Sequence, residues 1–174
     1  MADQPKTQEN KKFRSGLILS RDQYNTVEKK LHTLLDMIPA RFVLLVDTSG
    51  QLVSILGEHT GVEPSILGSL IAADLAASQE IARITGSFQE FQMILREGEK
   101  NHIAICEAGK EMLFLVLFGK DVPLGWARKL IQRSAQEIGA ISAIQPEIPE
   151  MTEKDSKGDL PDLFNSALDE IWKD

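Results

Sequence analysis

The residues able to do chemistry are few and scattered. Asp47-Thr48-Ser49-Gly50 sets a carboxylate beside two hydroxyls, a pattern near the Asp-Thr-Gly of aspartic proteases, whose reaction needs two carboxylates sharing one proton. Here a serine interrupts the triplet and no second copy supplies the partner acid, so the stretch is expected to be a turn. His32, His59 and His102 are candidate metal ligands. They are expected on a helix, in a loop and at a strand start, with no Cys or His at ligand spacing beside them. Cys106 is the only cysteine and cannot form an internal disulfide. Following Ala104 and Ile105, it reads as a buried strand position where the thiol behaves as a small hydrophobe. The patterns GxxxxGK[ST], GxGxxG and GxSxG do not occur, so no phosphate cradle or nucleophile elbow is expected. The sequence predicts no catalytic residue, no metal and no cofactor.

Recognition is then the chemistry to look for, and composition narrows the partners. With 174 residues of which 43% are hydrophobic, the chain can form one packed core and is too short for two large ones. Acidic residues outnumber basic ones 26 to 19, a net charge of -7 that repels a phosphate backbone and argues against nucleic acid. The longest apolar runs, Phe42 to Val46 and Met112 to Phe118, are strand-length and far below the roughly 20 residues of a membrane span. No apolar stretch follows the charges of MADQPKTQENKKFR, so no secretory leader is expected and the predicted location is the cytoplasm.

The elements that must position a recognition surface follow from periodicity. Residues 1–16 are polar and mixed in charge, and are expected to be a mobile arm. Ser20 with Gln23 has capping-box spacing, and Tyr24, Val27, Leu31, Leu34, Leu35 and Ile38 recur at helical spacing before Pro39. Phe42 to Val46 is continuously apolar, as in a strand covered on both faces. The turn at 47–50 leads to a second strand over Gln51 to Leu56, completing a hairpin. A helix is expected from Pro64 to about Ile84, closed by Gly86. Strands follow over 88–96, 102–107 and 112–119, joined by hairpins. Asp121, Val122 and Pro123 open a helix whose buried face would carry Ala127, Leu130, Ile131, Ser134 and Ile138. The predicted architecture is α+β, a five-stranded antiparallel sheet with helices on its faces, spanning residues 17–143. Residues 144–159, rich in Pro and acid, read as a linker. A final amphipathic helix is expected over 160–174, with Leu160, Leu163, Phe164, Ala167, Leu168, Ile171 and Trp172 on one stripe.

The middle helix carries more apolar surface than one sheet can cover. Unrolled at about 100° per residue, Ile66, Leu70, Ala73, Ala77, Ile81 and Ile84 form one arc, expected to pack on the sheet. Leu67, Ile71, Leu75 and Ala82 form a second, which then needs another partner; the expectation is a homodimer pairing these helices. The remaining side holds Ser69, Ala72, Ala76, Gln79, Glu80 and Arg83, small residues that permit close approach, bordered by charge. The C-terminal amphipathic helix would be marginal alone. It is expected to dock on a groove of its own domain, of a dimer mate or of a third protein.

Three stretches, ARFVLLVDTSGQLVS, LGSLIAADLAASQEIARITG and LFLVLFGKDVPLGWARKLIQRSAQEI, resemble the roadblock family of dynein-light-chain-related dimers, and within it the bacterial MglB type. The resemblance covers roughly residues 17–143. It implies a roadblock/longin-like sheet with one helix on one face and two on the other, dimerising through the middle helix and edge strands. It implies further a homodimeric regulator of a Ras-like small GTPase in cell polarity or gliding motility, sited in the cytoplasm and, through partners, at a cell pole. The GTPase would sit on the paired middle helices, mapping to Ser69, Ala72, Ala73, Ala76, Glu80 and Arg83. Leu67, Ile71 and Leu75 would form the dimer interface, and Leu163, Phe164, Leu168, Ile171 and Trp172 the contact of the C-terminal helix. Stimulation of hydrolysis would proceed without an arginine finger, the dimer biasing the switch segments of the GTPase. The alternative is a non-catalytic scaffold that binds a GTPase or trafficking complex without changing its turnover. Asp74 and Glu80 depart from the small-residue pattern by adding negative charge to the platform.

Overall fold

A computed structural model of the chain describes residues 10–87 and 93–144. The elements are β1 (Lys11–Lys12), β2 (Ile18–Leu19), α1 (Arg21–Met37), β3 (Ala40–Asp47), β4 (Leu52–Gly57), α2 (Pro64–Ile84), β5 (Met93–Glu97), β6 (Asn101–Glu107), β7 (Met112–Gly119) and α3 (Leu124–Ser142). The last five strands make one antiparallel sheet in the order β4-β3-β7-β6-β5. Its register explains the continuous apolarity of β3 and β7. Val43 and Leu45 belong to one buried cluster, with Val27, Leu31 and Leu34 of α1 and Ala127, Ile131, Ala135 and Ile138 of α3. Phe42, Leu44 and Val46 point to the opposite face, into a second cluster with Ile71 and Leu75 of α2. A strand alternates its side chains, so one with cover on both sides must be apolar at every position. The expected α+β arrangement follows: α1 and α3 on one face, α2 on the other.

Local chemistry sets the helix ends as expected. Ser20 Oγ accepts from Gln23 N at 3.2 Å and Gln23 Oε1 accepts from Ser20 N at 2.9 Å, closing the capping box. Beyond α2, Ser87 N reaches back to Ala82 O at 2.8 Å, with Gly86 at φ 68°. That left-handed residue lets the chain satisfy the last carbonyls of the helix.

The N-terminal expectation needs correction. Residues 10–16 are not a mobile arm: β1 pairs with β2, and Phe13 is buried in the core with Leu17 and Leu19. Ser15 N donates to Asp47 Oδ2 at 3.0 Å, and Arg14 N to Gln51 Oε1 at 2.8 Å. One phenylalanine and two apolar residues supply enough burial to hold a segment whose average composition is polar. The strand expected from residue 88 is described from Met93. The linker and C-terminal helix expected over 144–159 and 160–174, with Leu163, Phe164, Leu168, Ile171 and Trp172, lie outside the described residues apart from Ile144.

Candidate functional site

The candidate site is the outward side of α2, and the sheet determines which side that is. Ile71 and Leu75 are 2% and 1% exposed against β3, β6 and β7, with Leu67 half-buried beside them. Ile66, Leu70, Ile81 and Ile84 are 61%, 61%, 62% and 72% exposed. The sequence expectation is therefore reversed. Leu67, Ile71 and Leu75, assigned to a dimer interface, pack on the chain's own sheet. The arc of Ile66, Leu70, Ala73, Ala77, Ile81 and Ile84, assigned to the sheet, faces outward. Both arcs are apolar at helical spacing, so periodicity could not choose between them. Gly68 chooses: a Cβ there would meet Gly50 O of the β3–β4 turn, and Val46 Cγ1 at 3.0 Å. Only glycine lets α2 lie this close, and a glycine inside a helix otherwise destabilises it by about 1 kcal/mol. That glycine shares the face of Ile71 and Leu75, and was the signal available in the sequence.

The residues assigned to a platform lie along one flank of α2, apart from Ala73. Ser69, Ala76, Glu80 and Arg83 are exposed; Ala72 is half-buried against the second cluster; Ala73 sits in the middle of the outward apolar stripe. The Ser69 hydroxyl donates to Ser65 O of its own helix at 3.0 Å. Arg83 Nε and Nη2 donate to the two carboxylate oxygens of Glu80 at 2.8 and 2.6 Å. The guanidinium holds the Glu80 carboxyl below its ordinary range, and the carboxylate raises Arg83 in turn. On the other flank Arg96 of β5 pairs with Asp74 at 2.7 Å. The negative charge expected from Asp74 and Glu80 is thus neutralised by two arginines. Beside Ala72 and Ala76 a cavity of about 250 Å³ opens between α2 and the strand ends, floored by Leu75 and Leu113 and rimmed by Thr48, Gln79 and Lys110. Gln79 Nε2 donates to a Glu107 oxygen across it. An apolar floor beneath small residues with a polar rim suits the docking of a protein surface.

The residues weighed for chemistry are occupied elsewhere. Asp47 is buried, and its Oδ1 accepts from Ser49 N (2.9 Å), Ser49 Oγ (2.6 Å) and Gln51 N (2.8 Å), while Oδ2 accepts from Ser15 N. Burial alone would raise its pKa, but the hydrogen bonds from Ser49, Ser15 and Gln51 hold it below the usual carboxylate range. It is the joint between the turn and the N-terminal hairpin. Burial pushes the Cys106 thiol far up, with Glu107 adding to the shift. His32 is exposed on α1, His59 Nδ1 lies 2.9 Å from Gly57 O, and His102 packs edge-on against Phe118. Among the described residues no group of three His, Cys, Asp or Glu is placed to hold a metal, and no helix is long and apolar enough to cross a membrane.

A carboxyl whose pKa is lowered in the fold adds stability above its unfolded value, about 3.9 for Asp, and loses that contribution as pH falls through the folded value. Asp47→Asn keeps Oδ1 but presents an amide to Ser15 N. The expected cost at pH 7 is about 1–3 kcal/mol, with a flatter loss of stability below about pH 4 than the native chain shows in urea unfolding. Equal acid limbs would mean that another carboxylate dominates.

The sequence profile of the Roadblock/LC7 domain matches residues 27–118, from the middle of α1 to the end of β7. The chain belongs to the Roadblock/LC7 domain family. Among solved roadblock structures, an MglB in a tetrameric arrangement is 26% identical, with 72% of this chain and 93% of that chain covered at a TM-score of 0.64. Myxococcus xanthus MglB is 28% identical over 67% and 94% of the two chains, at 0.63. The gliding protein MglB of Thermus thermophilus, 24% identical over 72% and 94%, shares the fold at 0.63. No curated protein matches the chain.

Proposed function

We propose that this roadblock protein is a homodimer that regulates a Ras-like small GTPase, stimulating hydrolysis and modulating nucleotide exchange, in bacterial cell polarity or motility. The observation that carries the reading is the outward face of α2, with four large apolar side chains exposed in one stripe and a small-residue flank alongside. A stripe of that kind is the size and chemistry of a helix-pairing surface. Pairing two copies through it sets two flanks of Ser69, Ala72, Ala76, Glu80 and Arg83 side by side, with Ala73 inside the pair. The likeness to MglB proteins at 26% and 28% identity supports the GTPase as the partner. We assign the chain no catalytic group of its own. Arg83 is already bidentate to Glu80, so it acts as a docking charge; the GTPase supplies the residues that orient water, and the dimer biases them.

The test is phosphate release from the cognate GTPase at saturating protein. Acceleration is expected, and Arg83→Ala should shift the protein concentration needed while leaving the maximal rate. Binding without any change in hydrolysis or exchange selects the scaffold reading, and no binding removes both.

A further inference from the structure

Charge is divided unevenly along this chain. Residues 145–174 hold nine acidic and three basic residues, a net -6 out of the -7 of the whole. Residues 10–144 balance fifteen against fifteen, but not locally. Lys11, Lys12 and Arg14 on the β1–β2 hairpin and Arg21 at the start of α1 are all exposed, and none is in an ion pair among the described residues. Of the acids around them, Asp22 adjoins Arg21, Glu28 is engaged by Tyr24 and Ser54, and Asp47 is buried beneath Ser15. The Lys11 ammonium lies 5.2 Å from the Phe13 ring centre and 5.0 Å from that of Tyr24, a cation–π arrangement that fixes its position. Here an open cleft of about 580 Å³ is lined by Asn10, Lys11, Leu19, Arg21 and Tyr24. Asn10 Oδ1 is buried without a hydrogen-bond partner among the described residues.

The acidic segment starts beside this cleft. Gln23, two residues from Arg21, donates through Nε2 to Ile141 O at 2.9 Å and Ile144 O at 2.6 Å, tying the end of α3 to the first turn of α1. The fifteen residues 145–159 are enough chain to span about 20–23 Å, so residues 160–174 can return to the cleft at millimolar effective concentration. That stretch brings Asp162, Asp169 and Glu170 for the cations and Leu163, Phe164 and Trp172 for the apolar wall.

We propose that the cleft between the β1–β2 hairpin and α1 is the docking site of the chain's own C-terminal segment, residues 160–174. The segment is then held on the α1–α3 side of the sheet, opposite the exposed stripe of α2. This does not depend on the GTPase reading. Hydrogen–deuterium exchange on the full chain at low ionic strength tests it. Amides of 160–174 are expected to exchange about tenfold slower than an unstructured peptide. The double reversal Lys11→Glu and Arg21→Glu, or about 0.5 M NaCl, which screens exposed charges, should remove that protection. Unchanged exchange in β3 and β7 shows that the fold survives. Adding Asp162→Lys and Asp169→Lys to the reversed chain should restore it. Peptide-like exchange in the native chain overturns the proposal, as does protection indifferent to both reversal and salt. Protection that fades on dilution places a second copy in the cleft and overturns it equally.

Discussion

Ala76→Arg is expected to abolish docking of the proposed GTPase partner while leaving the fold and the proposed dimer intact. Ala76 is exposed on the flank of α2, and its methyl forms part of the wall above Leu75 and Leu113. A guanidinium there fills the cavity mouth and carries a charge that a docked surface must desolvate. An uncompensated interfacial charge costs about 3 kcal/mol or more, roughly a hundredfold or greater loss of affinity. Phosphate-release titrations should therefore show no stimulation at concentrations that saturate the native protein, and light scattering should still report a dimer. Ala76→Ser, which adds little volume, should behave as the native chain. An unfolded Ala76→Arg variant would place this residue against the sheet, and full stimulation by a folded variant would move the partner to another surface.

Leu75→Ala and Leu70→Asp should have opposite consequences although the two residues stand five apart on one helix and are alike in chemistry. Leu75 is buried in the second cluster, so truncation removes contacts and leaves a cavity, at an expected cost of about 2–5 kcal/mol in urea unfolding. Leu70 projects from the opposite side. An aspartate there should alter the unfolding free energy of the dissociated protomer by no more than about 0.5 kcal/mol, but should convert the dimer to a 19.3 kDa particle by placing a charge in the apolar stripe of both copies. A dimeric Leu70→Asp chain would remove the α2 pairing, and with it the joined platform. A neutral Leu75→Ala would contradict the packing described for α2.

Legibility in the sequence differed from one element to the next. The capping box of Ser20 and Gln23, the Pro64 start, the Gly86 stop and the turn at Asp47 are local devices whose hydrogen bonds close within a few residues, and all are found in place. The uninterrupted apolar runs of β3 and β7 required cover on both faces of the sheet, and have it. The Phe13 anchor was missed because its burial depends on Leu17, Leu19 and a core supplied by α1, none of which shows in a window of polar residues. The negative charge expected of Asp74 is absent for the same kind of reason: Arg96, which neutralises it, lies on another element.

By itself the sequence determined the order of the elements from α1 onward, the antiparallel sheet between helices, and the surplus of apolar surface on α2, because each rests on a period or a cap read over neighbouring residues. Which of the two stripes on α2 faces the sheet was decided only in three dimensions. Both stripes gain comparably from burial, so hydrophobicity is indifferent between them, and the choice falls to a steric contact at Gly68 with a turn eighteen residues earlier in the chain.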